Sequence, residues 1–519
     1  MSNRDIAAAR AYHERTKHSL TSVRGGPHYL DWDNQPRPFK VYENLESLPL
    51  EPHLQSTDVP ALRAISEAAP EAERGVTRAE LAEVLFLCAG VTRRRRYSGG
   101  EMLFRAAACT GALYHIDVYV VAGPLADLDA GVYHFAPDRF ALTPLRAGDH
   151  RGVLVEASGG EPAVAQAPAI LVLTSTFWRN SWKYRDRTYR HCFWDGGTLL
   201  ANCLAAASAR GIPTRTVMGF ADAPVNHLLG LDPEKEVSLC LVPLARSASS
   251  TPPSGESLPT LDFVTRPLSA REVDYPSIRE VHAASCLESG AEVRRWREAE
   301  AGAPDGGGGA EAGVTAPDTA PRALPPAFDS PAALPAGSIE QVILRRGSTR
   351  RFSHESITLA QLSNALHYAT RGVHTDVDPD ASRALSRLYL ILNNVDGAAP
   401  GAYVFDRDNG RLDLLKEGSF RKEAGFLGLG QEIPADASVN VYFLADLEAV
   451  LERYGNRGYR LAQMDASVVA GRLYLAAYAQ GFGASGLTFF DDDVTAFFSP
   501  HAAGKSVLFL IALGRRLRK

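Results

Sequence analysis

The chain is 519 residues long, 45% hydrophobic and 22% charged, with a net charge of −5. This composition leaves apolar material for two cores and argues against a strongly basic surface for nucleic acid. No apolar run is long enough to span a bilayer, and the segment MSNRDIAAARAYHERTKHS has no apolar signal-peptide core. The six cysteines stand singly, without a Cys-x-x-Cys pair or the spacing of zinc ligands, so we expect a reduced, cytoplasmic protein with no structural metal.

In the first half, the pattern of apolar and polar residues predicts alternating helices and strands. A short helix at 5–18 leads into a Pro- and Gly-rich arm that reaches about residue 60. A helix capped by Thr77 follows, and a long helix that Asp195 is expected to cap ends at Gly211. The predicted strands are 116–122, 131–135, 140–145, 169–174 and 237–244.

Residues 246–335 are expected to link two domains, 1–245 with the N-terminal arm and 336–519. The middle of this linker, 270–299, has helical periodicity. Its end is rich in Pro, Ala and Gly, so we expect it to be largely disordered.

The second half repeats the first. Residues 187–222 and 457–492, compared without a gap at an offset of 270, share ten identical residues where chance gives roughly two. The same offset extends upstream and indicates one α+β unit in each half. An earlier helix matches at an offset of 281, so the second copy is about eleven residues shorter between that helix and the next strand. The identical pairs are Arg187/Arg457, Tyr189/Tyr459, Arg190/Arg460, Asp195/Asp465, Ala206/Ala476, Ala207/Ala477, Ala209/Ala479, Gly211/Gly481, Phe220/Phe490 and Asp222/Asp492.

The segment 345–351 contains four arginines and a serine. Guanidinium groups bind phosphate oxygens in pairs, and a serine hydroxyl adds a further donor. This pattern favours a phosphate-binding loop, with a solvated basic turn as the alternative. Lys17-His18-Ser19 is a weaker counterpart in the first half, with Thr21 where a second arginine would stand.

Two further segments of the first half carry candidate chemistry. The small residues and glycine of 105–114, RAAACTGALY, allow backbone N–H groups to approach a flat ring closely, although they also suit a turn packed against a helix. Lys183 and Tyr184 are adjacent, and burial could shift their pKa values so that they transfer protons. A basic, aromatic helix end is the alternative interpretation of that pair.

With these segments together, the sequence resembles the nitroreductase superfamily, specifically its SagB-type (thiazoline/oxazoline) dehydrogenase branch in a tandem two-domain form. The resemblance covers nearly all of the chain outside the linker. It rests on HERTKHS, HYLDWDNQPRPFKVY, ACTGALYHIDVYVV, WKYRDRTYRHCFWDGGTLLANCLAAA and GFADAPVNHLLGLDPEKE in the first half, and on RRGSTRRFS, GLTFFDDDV and LFLIALG in the second.

The resemblance implies an α+β fold in which two nitroreductase-like domains form an internal pseudo-dimer and bind FMN at their interface. It implies a catalytic role for Lys183 and Tyr184, which match a Lys-Tyr pair linked to catalysis in azoline dehydrogenases. A late Gly-Phe segment of the family maps onto Gly219-Phe220 and onto Phe489-Phe490. The implied FMN-binding residues are Arg346, Ser348 and Arg350 for the phosphate, Ala108, Cys109, Thr110 and Gly111 for the ring, Gly219, and Arg515 and Arg516 to complete the phosphate site.

Differences between the halves predict that only one site works. The second half carries Asp378-Pro379-Asp380-Ala381 in place of the ring loop, and Gly-Asn near residue 455 in place of the Lys-Tyr pair. Only the second half carries the arginine motif. We therefore expect one composite site, in which the second half holds the phosphate and the first half holds the ring, and one degenerate site. Ala108 and Cys109 replace the Pro and Ser that are usual in the ring loop of the family.

Three functional hypotheses follow. In the first, the protein is an FMN-dependent oxidoreductase that oxidises azoline rings of a ribosomal peptide to azoles, and Lys183 or Tyr184 takes a proton as hydride passes to the flavin. In the second, it reduces or oxidises small nitro, quinone or other unsaturated compounds with NAD(P)H. In the third, it is a flavin-free scaffold or peptide-binding subunit, which the replacements at Ala108 and Cys109 favour. The expected partners are a small-molecule or modified-peptide substrate and biosynthetic proteins, with no nucleic acid and no membrane.

Overall fold

The structure is a computed structural model that describes residues 2–25, 29–51, 54–97, 100–248, 250–251, 258–301, 322–323, 334–335 and 337–517. No helix within those ranges is long and apolar enough to cross a membrane. The predicted disorder at the end of the linker falls mostly on residues 302–321 and 324–333, which lie outside the described ranges.

The first half alternates helices and strands in the predicted order. Its elements are α1 (Ala7–Arg15), α2 (Leu20–Arg24), β1 (Leu48–Pro49), α3 (Ala61–Ser66), α4 (Arg78–Ala89), β2 (Val91–Tyr97), β3 (Gly100–Arg105), β4 (Ile116–Ala122), β5 (Gly131–Ala136), β6 (Ala141–Ala147), α5 (Arg151–Ala157), α6 (Pro162–Gln166), β7 (Ala169–Thr176), α7 (Phe177–Tyr184), α8 (Thr188–Ala209), α9 (Asp222–Leu229) and β8 (Glu236–Leu244). The five predicted strands are confirmed as β4 to β8.

The long helix α8 starts earlier than the sequence predicts. It begins at Thr188, so Asp195 lies inside the helix, and the prediction that Asp195 caps it is wrong. The side chain of Asp195 is buried and accepts hydrogen bonds from a loop outside the helix. An acidic residue ahead of an apolar run has the sequence pattern of a cap, whether its carboxylate binds the helix or another segment. The predicted stop is confirmed, because Gly211 follows the helix with a φ of 65°.

The second half repeats this succession of elements. The predicted linker helix is divided in two by residues 285–289. The elements are α10 (Pro276–Ala284), α11 (Gly290–Ala301), β9 (Arg322–Ala323), α12 (Ile339–Arg345), β10 (Ile357–Thr358), α13 (Leu359–Thr370), β11 (Arg387–Leu392), β12 (Val395–Asp396), β13 (Gly401–Asp406), β14 (Arg411–Glu417), α14 (Arg421–Leu427), α15 (Glu432–Asp436), β15 (Val439–Ala445), α16 (Leu447–Tyr454), α17 (Arg457–Ala479), β16 (Gly483–Leu487), α18 (Asp491–Phe498) and β17 (Ser506–Gly514).

Each half is built on one antiparallel sheet, and the two sheets share a strand order. The first runs β1-β6-β5-β4-β7-β8, and the second runs β16-β17-β15-β11-β13-β14-β9. Strands β6-β5-β4-β7-β8 therefore correspond to β14-β13-β11-β15-β17. Tyr119 in β4 and Tyr389 in β11 are fully buried at equivalent positions of the two central strands. The α+β class and the duplication are confirmed.

Helices α8 and α17 pack against each other and join the halves into one body. Their close approach requires small side chains where they cross. A Cβ atom on Gly471 would lie 2.6 Å from the Cβ of Ala201, and a Cβ atom on Gly197 would overlap the side chain of Ser467. The largest apolar core contains residues of both halves around this crossing, and smaller apolar clusters lie apart from it. The chain is therefore a fused pseudo-dimer.

Buried ion pairs cross between the halves in both directions. Asp491, at the start of α18, accepts hydrogen bonds from Arg190 at 2.6 Å and Arg187 at 3.1 Å, both in the first half. Asp222, at the start of α9, accepts hydrogen bonds from Arg460 at 2.6 Å and Arg457 at 2.7 Å, both in the second half. All six side chains are buried, so each half neutralises cations that belong to the other half.

These ion pairs correct the ungapped alignment at its C-terminal end. Asp222 is equivalent to Asp491, not to Asp492, so the offset there is 269. The neighbouring aromatic rings agree, because Arg457 stacks on Phe220 as Arg187 stacks on Phe489. The second copy has lost one residue between strand β16 and helix α18, and an ungapped comparison conceals such a loss.

The N-terminal arm and the linker contain two copies of one element. Arg190 donates to the backbone carbonyl of His13, in α1, and to the hydroxyl of Thr16, the residue after α1. Arg460 donates in the same way to the backbone of His282 and the hydroxyl of Ser285. These contact residues lie 269 residues apart, and of the two contacts only the histidine is the same residue type in both copies. We therefore propose that the second repeat begins near α10, inside the segment 246–335 that the sequence assigns to a linker.

The ion pairs across the interface predict a large difference between two adjacent substitutions. Asp491→Asn leaves Arg187 and Arg190 buried without a counter-charge, so we expect the free energy of unfolding to fall by about 3–5 kcal/mol. Asp492→Asn is the control, because its side chain is 78% exposed and its one ion pair among the described residues is with Lys17, and the expected cost is about 0–1 kcal/mol. Urea unfolding followed by tryptophan fluorescence measures both. Equal losses would contradict the corrected alignment.

The effect of Asp491→Asn is also expected to depend on pH. Burial raises the pKa of Asp491, but the charges of Arg187 and Arg190 lower it by a larger amount. The net result is a pKa below the ordinary carboxyl value. A carboxylate with a lowered folded-state pKa stabilises the protein above its unfolded-state pKa, and this stabilisation is lost as the pH falls. The stability difference between wild type and Asp491→Asn should therefore shrink below about pH 4.

Candidate active site

The ring loop, residues 108–111, is tied to helix α8 by one carboxylate. Asp195 accepts hydrogen bonds from the Thr110 backbone at 2.9 Å, the Thr110 hydroxyl at 2.7 Å and the Cys109 thiol at 3.1 Å. His115 lies 2.8 Å from the same carboxylate, and its other ring nitrogen bonds the hydroxyl of Ser175. Asp195 therefore sets the shape of the loop.

The thiol that replaces serine in this loop is protonated. Burial, followed by the charge of Asp195, raises the pKa of Cys109 well above its ordinary value. The thiol is consequently a hydrogen-bond donor to Asp195. The ligand atoms of Cys109, His115 and Asp195 lie within 4.8 Å of one another, as metal ligands would, but all three are already used in the hydrogen bonds that hold the loop.

The Lys-Tyr pair lies against the ring loop. A Cβ atom on Gly111 would be 2.9 Å from the Tyr184 hydroxyl, so the absence of a side chain there makes room for the tyrosine. The Lys183 ammonium lies 5.3 Å from the centre of the Tyr184 ring. Burial, then the charge of Arg350, lowers the pKa of Lys183, and burial raises the pKa of Tyr184. The lysine therefore loses its proton at a lower pH than an ordinary lysine, while the tyrosine keeps its own.

The arginine motif of the second half reaches the same loop. The guanidinium of Arg346 donates to the carbonyl of Ala106 at 2.7 and 3.1 Å, two residues before the ring loop. Its charge lies 5.7 Å from the centre of the Tyr474 ring. Ser348 contacts the hydroxyl of Tyr474 at 3.3 Å, and Arg350 influences both Lys183 and Tyr184 electrostatically. The phosphate motif and the ring loop therefore meet across the interface.

The donor set fits a phosphate group. In the described part of the chain, no carboxylate forms an ion pair with Arg346 or Arg350, although other arginines near the interface are paired. The Arg346 guanidinium and the Ser348 hydroxyl both lie against Tyr474, and a cationic and a hydroxyl donor close together suit an anion. A flat ring attached to such a phosphate would meet the ring loop and Tyr184.

The two C-terminal arginines occupy different places. Arg516 lies with its charge 5.1 Å from the centre of the Tyr478 ring, and the Tyr478 hydroxyl is 3.6 Å from where a Cβ atom on Gly347 would be. Arg515 instead donates to the Ser356 carbonyl and the Gln361 side chain, each at 3.3 Å. Only Arg516 is beside the phosphate motif.

Gly219 does not lie with the other candidate site residues. The backbone N–H groups of Met218 and Gly219 donate to the carboxylate of Asp376 at 2.7 and 2.9 Å, and the Gly219 carbonyl accepts from Arg297. Asp376 is in the second half, 270 residues after Ala106. Gly219 therefore belongs to the second, pseudo-symmetric half-site. The sequence could not separate the two half-sites, because both copies carry the segment.

The second half-site lacks a phosphate motif. Arg74 bridges Arg246 and Phe352 bridges Arg516, in each case the second residue after the last strand of that half. The segments that precede Arg74 and Phe352 therefore correspond. The segment that corresponds to the arginine motif, residues 67–72 (EAAPEA), contains no arginine or lysine. Lys17-His18-Ser19 was expected to be the counterpart. That expectation is wrong, because the backbone N–H of His18 donates to Asp491 instead.

Helix α11 covers much of the second half-site. Trp296 donates to the carbonyl of Tyr454 at 2.9 Å, and Arg297 donates to Asp376 at 2.9 Å. A cavity of about 40 Å³ remains beside Asp465. Asp465 is equivalent to Asp195 but has no loop threonine to bind, and burial raises its pKa to about 6.

The counterpart of the Lys-Tyr pair is Arg453-Tyr454. These residues end α16 as Lys183 and Tyr184 end α7. The prediction that Gly455-Asn456 stands in place of the Lys-Tyr pair is wrong, because the equivalent residues lie two positions earlier. Gly455 is equivalent to Arg185, and both have positive φ, 69° and 51°.

The chain contains two α+β repeats, each built on an antiparallel sheet, and one candidate site between them combines the arginine motif with the ring loop. This arrangement defines a fused dimer of the nitroreductase fold. The Nitroreductase family profile matches residues 71–246 and 343–515, so the chain belongs to this family, with two domains in tandem. A solved Anabaena variabilis structure, assigned as a nitroreductase, is 26% identical with a TM-score of 0.74, and the match covers 98% of this chain and 99% of that one.

Three curated relatives match parts of the chain. A Methanocaldococcus jannaschii protein assigned to the nitroreductases is 27% identical over 33% of this chain and 81% of its own length. The trifolitoxin-processing protein TfxB of Rhizobium leguminosarum bv. trifolii is 32% identical over 26% of this chain and 38% of its own length. The microcin B17-processing protein McbC of Escherichia coli is 30% identical over 24% of this chain and 47% of its own length. The chain thus spans less than half the length of TfxB and of McbC. The predicted resemblance is confirmed.

The hydrogen bonds of Asp195 predict a local change on substitution. In Asp195→Ala, the ring loop loses the carboxylate that accepts its three hydrogen bonds. We therefore expect the Thr110 amide to exchange its hydrogen at least about tenfold faster. Asp465→Ala, at the equivalent position of α17, is the control and should leave this amide unchanged. Hydrogen exchange measured by mass spectrometry on the peptide that covers 106–114 distinguishes them. Unchanged exchange in Asp195→Ala would show that the loop is held by other contacts.

Proposed function

We propose that this protein is an FMN-dependent oxidoreductase with one active site, between the ring loop of the first half and the arginine motif of the second. The observation that supports it best is the convergence of Arg346 on the Ala106 carbonyl, next to the ring loop. Arg346, Ser348, Arg350 and Arg516 would hold the phosphate, and residues 108–111 would contact the ring. Membership of the nitroreductase family supports an oxidoreductase.

In this proposal the protein's own residues bind the substrate, orient it and move a proton. Bound FMN would supply the acceptor or donor of hydride. Lys183, whose pKa is lowered, would take a proton from substrate carbon, because it reaches the neutral amine form more easily than an exposed lysine. Tyr184, whose pKa is raised, would stay protonated and donate a hydrogen bond to the substrate. The protonated thiol of Cys109 would keep the ring loop closed on Asp195.

We further propose that the substrate is an azoline ring in a ribosomally made peptide. Conversion of an azoline to an azole removes one proton and one hydride from adjacent ring atoms, so it needs a base beside a hydride acceptor. Lys183, whose ammonium lies 5.3 Å from the centre of the Tyr184 ring, would be that base, since Tyr184 lies against the ring loop. The similarity to TfxB and McbC, which are named for the processing of trifolitoxin and microcin B17, supports this substrate class.

A reductase of small nitro, quinone or unsaturated compounds that uses NAD(P)H is the second candidate. The similarity to the Methanocaldococcus jannaschii relative favours it. Such a reaction delivers hydride to an electron-poor substrate and has no requirement for a lysine base. The two candidates therefore differ in their dependence on Lys183.

The phosphate site predicts a specific loss of FMN binding. Arg346→Ala removes a charge-assisted donor, which contributes about 1.5–3 kcal/mol, so we expect FMN to bind about 10- to 100-fold more weakly. Arg351→Ala, an exposed arginine in the same segment, is the matched control and should bind FMN as the wild type does. Quenching of FMN fluorescence on titration with apoprotein measures both. Equal affinities for the two variants would place the phosphate elsewhere.

The proton-transfer role predicts a loss of turnover without a loss of flavin. Lys183→Ala should lower kcat on an azoline peptide by about 10²- to 10⁴-fold, with unchanged flavin content. In the wild type, kcat should rise with pH as Lys183 deprotonates, starting at a lower pH than for an ordinary lysine, and this limb should vanish in the variant. Arg453→Ala, the equivalent position of the second half-site, is the control.

The outcomes separate the two candidates. Undiminished oxidation by Lys183→Ala would remove the proposed role of the lysine. Undiminished reduction of a nitro or quinone substrate with NAD(P)H, together with no oxidation of azoline peptides by the wild type, would favour the second candidate.

A further inference from the structure

Hairpin β2–β3 is a feature of the first half alone. It fills the stretch between α4 and β4 where the second copy is about eleven residues shorter. In the second half, the described residues 371–386 between α13 and β11 form no hairpin. The hairpin pairs with no other strand in the described chain, so both of its edges carry free backbone donors and acceptors.

The hairpin carries a concentrated positive charge. Strand β2 contains four consecutive arginines, 93–96, and the hairpin offers one carboxylate, Glu101, which pairs with Arg94 at 3.4 Å and Arg96 at 3.6 Å. Arg93 and Arg95 point to the opposite face, because side chains alternate along a strand. Within the described residues, neither has a carboxylate partner, and Arg93 stacks on Phe104 at 4.9 Å. A solvated strand usually carries both acidic and basic residues, whereas β2 carries four arginines and no acidic residue.

The row of arginines at 93–96, here called the charged strip, leads directly to the candidate active site. A side-chain nitrogen of Arg93 lies 3.9 Å from where a Cβ atom on Gly347 would be, inside the arginine motif. Beyond Arg105, at the end of β3, the chain continues through the Ala106 carbonyl that binds Arg346 and into the ring loop. The outer end of the strip is exposed, with Tyr97 at 57% and Met102 at 46%.

We propose that hairpin β2–β3 is a docking surface for an acidic polypeptide segment that lies beside the active site. Four arginines against one carboxylate select a partner with excess negative charge. The free edges allow an extended peptide to add as a strand, with main-chain hydrogen bonds for affinity and charges for specificity. Strand β2 spans about 23 Å, which matches about seven extended residues of the partner.

That the acidic segment is the flank of a peptide substrate rests on the proposed function. The binding of an acidic segment to hairpin β2–β3 does not rest on it. The reacting residue would lie at the ring loop while an acidic flank lies along β2. The surface would then restrict the enzyme to peptides with acidic residues a short distance from the reacting ring. The second half-site, which lacks the hairpin, would have no such selectivity.

The test uses the full-length protein with its flavin and a fluorescein-labelled seven-residue peptide in which glutamate alternates with threonine. Fluorescence anisotropy should show binding that weakens as salt rises. The double variant Arg94→Glu, Arg95→Glu should weaken it at least about tenfold, because it reverses two charges without touching the phosphate motif. The control Arg294→Glu, Arg295→Glu, a consecutive exposed pair on α11, should change it by less than about twofold.

Each outcome decides the proposal. Equal binding by both double variants, or no binding by the wild type at low salt, would overturn it. Tighter binding of a single-stranded oligothymidine than of the peptide would also overturn it, because the partner would then be a nucleic acid. The visible spectrum of each variant reports on the flavin, so peptide binding by a protein without flavin would reject the proposed function and keep the docking surface.

Discussion

The buried arginine–aspartate pairs that cross between the halves are the interaction on which the rest of the structure depends. Each long central helix begins with two buried arginines, and the carboxylate that neutralises them belongs to the other half. A buried cation without its partner is very costly, so each half requires the other in one orientation. That orientation is what brings the arginine motif of the second half to the ring loop of the first.

Fusion of two copies in one chain allowed the two half-sites to diverge. In a dimer of identical subunits, a substitution that damages one site damages both. Here the second half-site has no arginine in residues 67–72, where the first has Arg346 and Arg350, and helix α11 fills much of the space. The arginine hairpin is present in the first half and has no counterpart in residues 371–386 of the second. The interface that holds the halves together stayed symmetric while the sites it creates became different, because stability depends on both ion-pair clusters and chemistry needs one site.

Much of the fold could be predicted from the sequence, since the duplication and the strand pattern depend on local periodicity and on ten identical residues. The correspondence of α1 with α10 could not be predicted, because a backbone carbonyl and any small hydroxyl satisfy the arginine. At an offset of 269, residues 5–18 and 274–287 share only Asp5/Asp274, Arg10/Arg279 and His13/His282. The role of Asp195 was hidden for a similar reason. A buried carboxylate that binds a distant loop has the same sequence pattern as a helix cap. The register error at Asp222 came from a one-residue deletion that only contacts across the interface reveal.

The most direct measurement of the asymmetric site is the number of flavins bound per chain. Purified protein would be reconstituted with FMN, and the visible absorption of the complex would be combined with identification of the released cofactor by mass. We predict one FMN per chain, held at the site that includes Arg346 and the ring loop. Two FMN per chain would contradict the loss of the second half-site, and none after reconstitution would contradict the composite site itself.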